Sequence, residues 1–211
     1  MKVNNKTLLV AGVSIVTIAA VFLAGYFYMK NQMDISEVPV EKVTSEEYGV
    51  SFSYPAGPEG FALIEPPTAD KGVLKSYLMI RSKEYDTFKA TTDAKETPAT
   101  MSVLVFPFDD ENASSTETRG TTTEKESRIT RLQNWAIDNE VITSFSNAKN
   151  TPEVIEIDGL KALHYQTKGE YKQDIYLVSY QNRVYMFVSQ YKKESDPTYV
   201  AFQALVKTIS F

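Results

Sequence analysis

The sequence predicts an α+β protein in which one N-terminal transmembrane helix is followed by an antiparallel sheet covered by helices. Three observations carry that expectation. Thr7 to Met29 runs 23 residues without a charged side chain. Downstream, apolar residues recur at every second position in short runs bounded by Gly, Pro, Asn or Asp, the pattern of half-buried strands. Two further stretches, around Trp135 and after Asp196, switch to spacings of three and four, which gather apolar residues on one side of a helix. One of these helices precedes four consecutive strands and the other follows them. With no β-α-β alternation, the two helices are expected to cover a mostly antiparallel sheet.

Residues 1–6 form a short cytoplasmic N-terminus, and residues 7–29 read as the membrane helix. The run would span about 34 Å, enough to cross a hydrocarbon core of about 30 Å. A helix also pairs its backbone polar groups internally, as the bilayer demands. A buried core helix would show a polar stripe, whereas this run carries only single Ser and Thr hydroxyls that can bond back to the helix backbone. Lys2, Lys6 and the terminal amine precede it and Lys30 alone follows closely. That distribution places the N-terminus in the cytoplasm and the remaining chain outside. The run exceeds the core of a cleavable signal, about 7 to 15 residues, and no Ala-x-Ala site follows, which favours an uncleaved anchor. Leu23-Ala24-Gly25 matches the start of a lipoprotein box, but Tyr26 stands where the lipidated cysteine would be needed.

The chain has 22 basic and 27 acidic residues. Lys2, Lys6 and Lys30 belong to the anchor region, so the exported part carries a net charge of −8, which disfavours nucleic acid and anionic lipid as its partners. Cysteine is absent, which removes disulfides, thiolate metal sites and cysteine nucleophiles together. The domain must therefore be held by its core, and 13 Tyr and 11 Phe supply large apolar bodies for it.

Residues 30–46 are polar and acidic, with Pro39 among them, and read as a linker between anchor and domain. The domain is expected over 47–211. Tyr48, Val50, Phe52 and Tyr54 alternate with Gly49, Ser51 and Ser53, a half-buried strand stopped by Pro55. Phe61 to Ile64 is a short strand. Val73 to Ile80 is a longer one, with Leu74, Leu78 and Ile80 facing one way and Ser76 between them. Ser82 to Pro98 is polar, a loop holding at most a helical turn. Thr100 to Phe106 is apolar on both faces and suits a central strand. Asp109 to Thr122 cannot bury apolar area and reads as a surface loop.

Thr123 and Glu126 have capping-box spacing, and Ile129, Leu132, Trp135 and Ala136 follow on one side of a helix over about 124–139. Trp135 thus has a packing role. Val154 to Ile157 and Leu160 to Gln166 flank Asp158-Gly159, a pair that tolerates the positive φ angles of a two-residue hairpin. Tyr171 to Tyr180 and Arg183 to Tyr191 repeat the arrangement around Gln181 and Asn182. Asp196-Pro197 opens the last helix: the carboxylate caps free N–H groups, and proline fits the first helical position. Tyr199, Phe202, Leu205 or Val206, and Ile209 mark its buried side.

The succession of a strand ending in Tyr54-Pro55, a helix carrying Trp135, the Ile157-to-Leu160 hairpin leading into Ala162, tyrosine-rich strands around Tyr176 and Tyr185, and a close on Ile209-Ser210-Phe211 resembles the PsbP-like domains. That family is named for an extrinsic subunit of the photosynthetic oxygen-evolving complex, and similar anchored domains occur in non-photosynthetic bacteria. The resemblance covers about residues 47–211. It implies an antiparallel sheet between helical layers, an α/β/α sandwich, and a non-catalytic role in binding or assembly. Photosystem members bind through their own N-terminal segments and a histidine-bearing surface. Here the N-terminal segment is an anchor and one histidine exists, so no binding residue carries over.

His164 lies in phase with Leu160 and Ala162, the usual setting of a hydrogen-bonded structural side chain. With a single histidine, two-histidine metal sites are impossible. A Ser-His-Asp arrangement is possible by count, but no Gly-x-Ser-x-Gly turn occurs. Asp109, Asp110 and Glu111 offer oxygen ligands for Ca²⁺ without the glycine and late glutamate of an EF-hand, and read as a solvated loop. Asn112-Ala113-Ser114 has the form of a glycosylation acceptor. No catalytic, cofactor-binding or metal-ligating residue is singled out, and no cofactor is expected. The expectation is a membrane-anchored extracytoplasmic domain, not an enzyme, that binds an envelope protein partner or a small ligand, or serves as an assembly element. The alternative is a carboxylate- or metal-dependent hydrolase using His164 with Asp174 or Glu156. A pocket joining His164 to two carboxylates would favour the enzyme; His164 packed into the sheet would favour the binder.

Overall fold

The computed structural model describes residues 38–67, 72–85, 98–108 and 122–211. The expected membrane helix, the Asp109-Asp110-Glu111 loop and the Asn112 acceptor lie outside the described residues, as do the side chains of the Thr123–Glu126 capping box. No described helix is long and apolar enough to cross a membrane.

A seven-stranded sheet dominates the domain. Its strands are β3 (Phe61–Ile64), β4 (Lys75–Arg81), β5 (Thr100–Pro107), β6 (Glu153–Ile157), β7 (Leu160–Gln166), β8 (Lys172–Tyr180) and β9 (Arg183–Tyr191), in the spatial order β3-β4-β5-β9-β8-β7-β6. Every neighbouring pair is antiparallel. The layering is therefore the α+β arrangement the periodicities predict, with β5 in the interior of the sheet. A second, two-stranded sheet pairs β1 (Val40–Ser45) with β2 (Val50–Pro55). Residues 38–45, read from sequence as linker, thus belong to the domain. Their alternation is hidden because β1 is mostly exposed and has little need of apolar side chains.

Both hairpin turns take the left-handed backbone their residues allow. Asp158 and Gly159 have φ of 50° and 76°, and Gln181 and Asn182 have φ of 46° and 57°. Two consecutive residues with positive φ match the twist of the flanking strands, and they fix the registers Ile157 to Leu160 and Tyr180 to Arg183.

Side chains alternate across these strands, which assigns each residue to a layer. On one face, helix α1 (Thr122–Asp138) covers β7 and β8, and its Leu132 and Ala136 pack with Phe106, Leu163, Tyr165, Ile175, Leu177 and Met186. Trp135 packs as its place on the helix predicts, its ring 5.2 Å from that of Phe106. A short helix α2 (Glu140–Thr143) follows, and the Tyr165 hydroxyl donates to the Thr143 carbonyl at 2.8 Å. The opposite face is covered by α3 (Pro197–Val206) together with the β1–β2 hairpin. Asp196 caps α3, accepting from the Thr198 N–H at 2.9 Å. Phe202 and Leu205 are buried beneath it, as is Ile209 just beyond, while Phe52 meets Tyr77 edge-on at 5.6 Å.

In strand β4, Leu78 and Ile80 lie on one face, as the alternation predicts. Leu74 precedes the strand and is 38% exposed, while Tyr77 and Met79, on the other face, are buried along with Ile80. Coverage of both faces removes the clean alternation that a one-sided strand would show. Beyond β4, residues 82–85 are helical, in keeping with the turn allowed there.

A Cβ on Gly60 would stand 2.5 Å from the Ala56 carbonyl oxygen and 2.6 Å from that of Pro55, both backbone atoms that cannot swing aside. Gly60→Ala is expected to destabilise the domain by about 2 kcal/mol, read from a denaturant titration. A midpoint equal to wild type would show that the Pro55–Gly60 corner yields freely. Burial, followed by the hydrogen bond to Glu41 and that residue's charge, pushes Tyr54 up to about 12; burial, then the charge of Asp174, does the same for Tyr176. An unfolded tyrosine releases its proton near pH ~10. The stability these groups contribute is therefore complete below that pH and is lost as pH rises from about 10 toward 12. Tyrosinate absorbance should rise together with loss of fold in that window. Full titration of all tyrosines near pH ~10 with the fold intact would contradict the burial assigned to them.

Candidate functional site

The polar residues with chemical potential gather on the face beneath α3, and strand register puts them there. His164 on β7 stands opposite Glu153 of β6 and Tyr176 of β8. Asp174 on β8 stands opposite Gln166 of β7 and Ser189 of β9. Residues two apart on a strand share a face, so His164, Gln166, Asp174, Tyr176, Ser189 and Tyr191 all look toward α3.

Asp174 is the hub. Its carboxylate accepts from His164 Nε2 at 2.7 Å through Oδ1 and from Gln203 Nε2 of α3 at 2.7 Å through Oδ2. The Asp174 side chain is 1% exposed and that of His164 21%. A neutral imidazole donating to this carboxylate must carry its proton on Nε2. The ring lies flat on Tyr176, with centroids 4.3 Å apart, and Tyr176 in turn packs against Phe202. Tyr199 stacks on Tyr191 at 4.2 Å and accepts a long 3.4 Å hydrogen bond from Gln166 Nε2. Burial raises Tyr191 and Tyr199 above the ordinary tyrosine range, and the negative charge of Asp174 adds to the effect on both. The hydroxyls around the carboxylate thus stay protonated and available as donors.

The structure unites His164 with Asp174 and separates it from Glu156. Glu156 pairs in register with Lys161, and an odd step along the strand turns both toward the α1 face. A pocket holding His164 with Asp174 and Glu156 is therefore ruled out by alternation alone. The carboxylate that does share a face with His164 is Glu153, its exposed partner across the β6–β7 pair. Among the described residues no group of three or more His, Asp or Glu is placed to hold a metal ion.

A triad that used Ser189 fails on order. In a Ser-His-Asp arrangement the imidazole sits between hydroxyl and carboxylate, so that it can take the hydroxyl proton. Here β8 runs between β7 and β9, which puts Asp174 between His164 and Ser189. Ser189 is also fully buried. What the arrangement does is tie together three elements, β7, β8 and α3, through one carboxylate.

Gln203 and Gln166 were not singled out by sequence reasoning. A signal existed for the first: Tyr199 and Gln203 are four apart, hence neighbours on one side of α3 beside the apolar stripe. The strand they meet depends on the order of the sheet, which no local spacing records.

No family model matches the chain, and no curated protein matches it. Among solved structures, the chain is similar to the solution structure of cyanobacterial PsbP (CyanoP) from Synechocystis sp. PCC 6803, with 16% identity over 82% of this chain and 92% of that one and a TM-score of 0.44. It is also similar to a crystal structure from Bacteroides thetaiotaomicron, with 10% identity over 81% of this chain and a TM-score of 0.43, and it spans about half of that protein, 47%. The first of these bears the name of the family that the sequence resemblance suggests.

Proposed function

We propose that this protein is a membrane-anchored, extracytoplasmic and non-catalytic domain that binds a protein partner or a small ligand in the cell envelope. The observation that carries the non-catalytic reading is the closed state of its one histidine. His164 is stacked on Tyr176 and bonded to Asp174, whose second oxygen is taken by Gln203, so the pair is spent on holding α3 to the sheet. The location is supported by the uncharged 23-residue run and the lysines around it. A role in binding or assembly is supported by the PsbP-like pattern of residues.

The hydrolase alternative has one observation in its favour, the 2.7 Å contact between His164 and Asp174. Against it stand the order of hydroxyl, carboxylate and imidazole across the sheet and the position of Glu156 on the other face.

His164→Ala in the full chain separates the readings. Removing the imidazole leaves Asp174 Oδ1 without its donor, at an expected cost of about 1–3 kcal/mol in stability. Pull-down from detergent-solubilised membranes should nevertheless recover the same stoichiometric partner with variant and wild type. A hydrolytic activity toward ester, amide or phosphate substrates that disappears in a folded His164→Ala variant would replace binding by catalysis. Release of the full chain from membranes by an alkaline carbonate wash would remove the anchored location.

A further inference from the structure

Strand β6 ends the seven-stranded sheet, and among the described residues it pairs with β7 alone. Its outer edge therefore carries backbone N–H and C=O groups that no described strand takes up. Which residues own them follows from β7. The Lys149 N–H donates to the Gln166 carbonyl at 2.6 Å, and the Thr167 N–H donates to the Gln173 carbonyl at 2.9 Å. Even-numbered residues of β7 thus turn their backbone bonds toward β6 and odd-numbered ones toward β8. Register then commits Glu153, Ile155 and Ile157 to β7, through His164, Ala162 and Leu160. Val154 and Glu156 are left with both backbone groups aimed outward.

A free edge is ordinarily guarded by charge, and Glu153 and Glu156 supply it. The same edge is also apolar. Val154 is 51% exposed and Ile137 of α1 is 55% exposed. Ile137 follows Trp135 by two residues, about 200° round the helix, and Trp135 leans on Phe106 of β5. Ile137 therefore stands on the opposite flank of α1, the one toward β6. Val154, the register partner of Leu163, faces that same layer.

The run Glu153-Val154-Ile155-Glu156-Ile157 is suited to pairing with its own copy about a two-fold axis, in one register. Bonds can form only between outward-aimed residues, so the axis must pass through position 154, 155 or 156. Through Glu156, two carboxylates would face each other directly, which is destabilising. Through Val154, Glu156 would face Pro152, which has no N–H to give. Through Ile155, Val154 faces Glu156 of the second copy, and each donates to and accepts from the other on both sides of the axis. Glu156 then lies between an aliphatic side chain and its own register partner Lys161, Glu153 faces Ile157, and no like charges are opposed.

We propose that β6 is a self-association edge, at which two copies of this chain join antiparallel about Ile155 into one continuous sheet. The two α1 helices then stand on the same side of that sheet, with their Ile137 flanks turned toward each other over Val154. The glutamates decide the occupant: they oppose the register that would bring carboxylates together and leave open the one that sets each against an aliphatic residue of the same sequence.

The chain has no cysteine, so a single introduced thiol reports on its own copy. At the axis, facing residues that share no backbone bond stand about 4.5 Å apart, within disulfide reach. Positions 154 and 156 each lie two residues from their own copies, beyond the limit of about 7 Å. Copper phenanthroline in air, applied to the full chain in detergent, should convert Ile155→Cys mainly to disulfide-linked dimer and leave Val154→Cys and Glu156→Cys mainly monomeric. Random collision would give the reverse order, since Val154 and Glu156 are exposed and Ile155 is half-buried. Light scattering should give the mass of a dimer for the wild-type chain at about 0.1 mM. Val154→Pro removes an outward N–H and no bond to β7, so that variant should be folded and monomeric. Linkage at 154 or 156 as strong as at 155, a wild-type chain that is monomeric at that concentration, or a Val154→Pro chain that stays dimeric would overturn the proposal.

Discussion

Strand register is the constraint on which the rest of the structure depends, and two turns set it. Asp158-Gly159 and Gln181-Asn182 each place two residues at positive φ, so each joins its strands with a two-residue loop and no freedom to slide. A slip of one residue in β8 would send Asp174 to the face where Ile175 and Leu177 now pack under α1, and would bring Ile175 to Gln203. An uncompensated carboxylate among Leu132, Leu163 and Tyr165 would be far more costly than the lost hydrogen bonds of the ladder. Turn chemistry and burial thus enforce the same pairing, and this agreement makes the hairpin region a dependable frame for the side chains it carries.

The two faces of that frame differ in kind. Beneath α1 the sheet presents hydrocarbon and rings, with Tyr165 bonded at its tip to Thr143. Beneath α3 a line of polar groups crosses the sheet from His164 through Asp174 to Ser189. Helix α3 answers both demands: Phe202 and Leu205 meet the apolar part, and Gln203 with Tyr199 meets the polar part. The helix is consequently specified in rotation as well as in place, since a turn about its axis would strip Asp174 of its second donor.

Most of this architecture was legible in the sequence because it is written in short-range patterns. Alternation marked β2, two apolar runs flanking Asp-Gly marked β6 and β7 with their turn, Asp196-Pro197 marked a helix start, and spacings of three and four placed Leu132, Trp135 and Phe202 on buried sides. What escaped has a common cause. Strand β1 is exposed and has no period to read, and β4 is covered on both faces, so that Tyr77 and Met79 are as buried as Ile80. The polar hub lay further still from view. His164 and Asp174 are ten residues apart across a hairpin, which pairing of β7 with β8 could have suggested, but Gln203 reaches them from another layer. Glu156 failed as a partner for the simplest reason, that it is an odd number of residues from Glu153, which does share the face of His164.

A buried carboxylate contributes little net stability once the cost of removing it from water is set against its bonds, and a hydrophobic residue of similar volume often does as well. Its effect is on alternatives. Any arrangement of β7, β8 and α3 that fails to bring His164 and Gln203 to Asp174 leaves a charge without partners in the interior, a defect of several kcal/mol. The hub therefore selects one packing of the helix on the sheet from those that an apolar stripe alone would permit. With Asp174 enclosed and bonded to both His164 and Gln203, the arrangement holds α3 on the sheet in one packing.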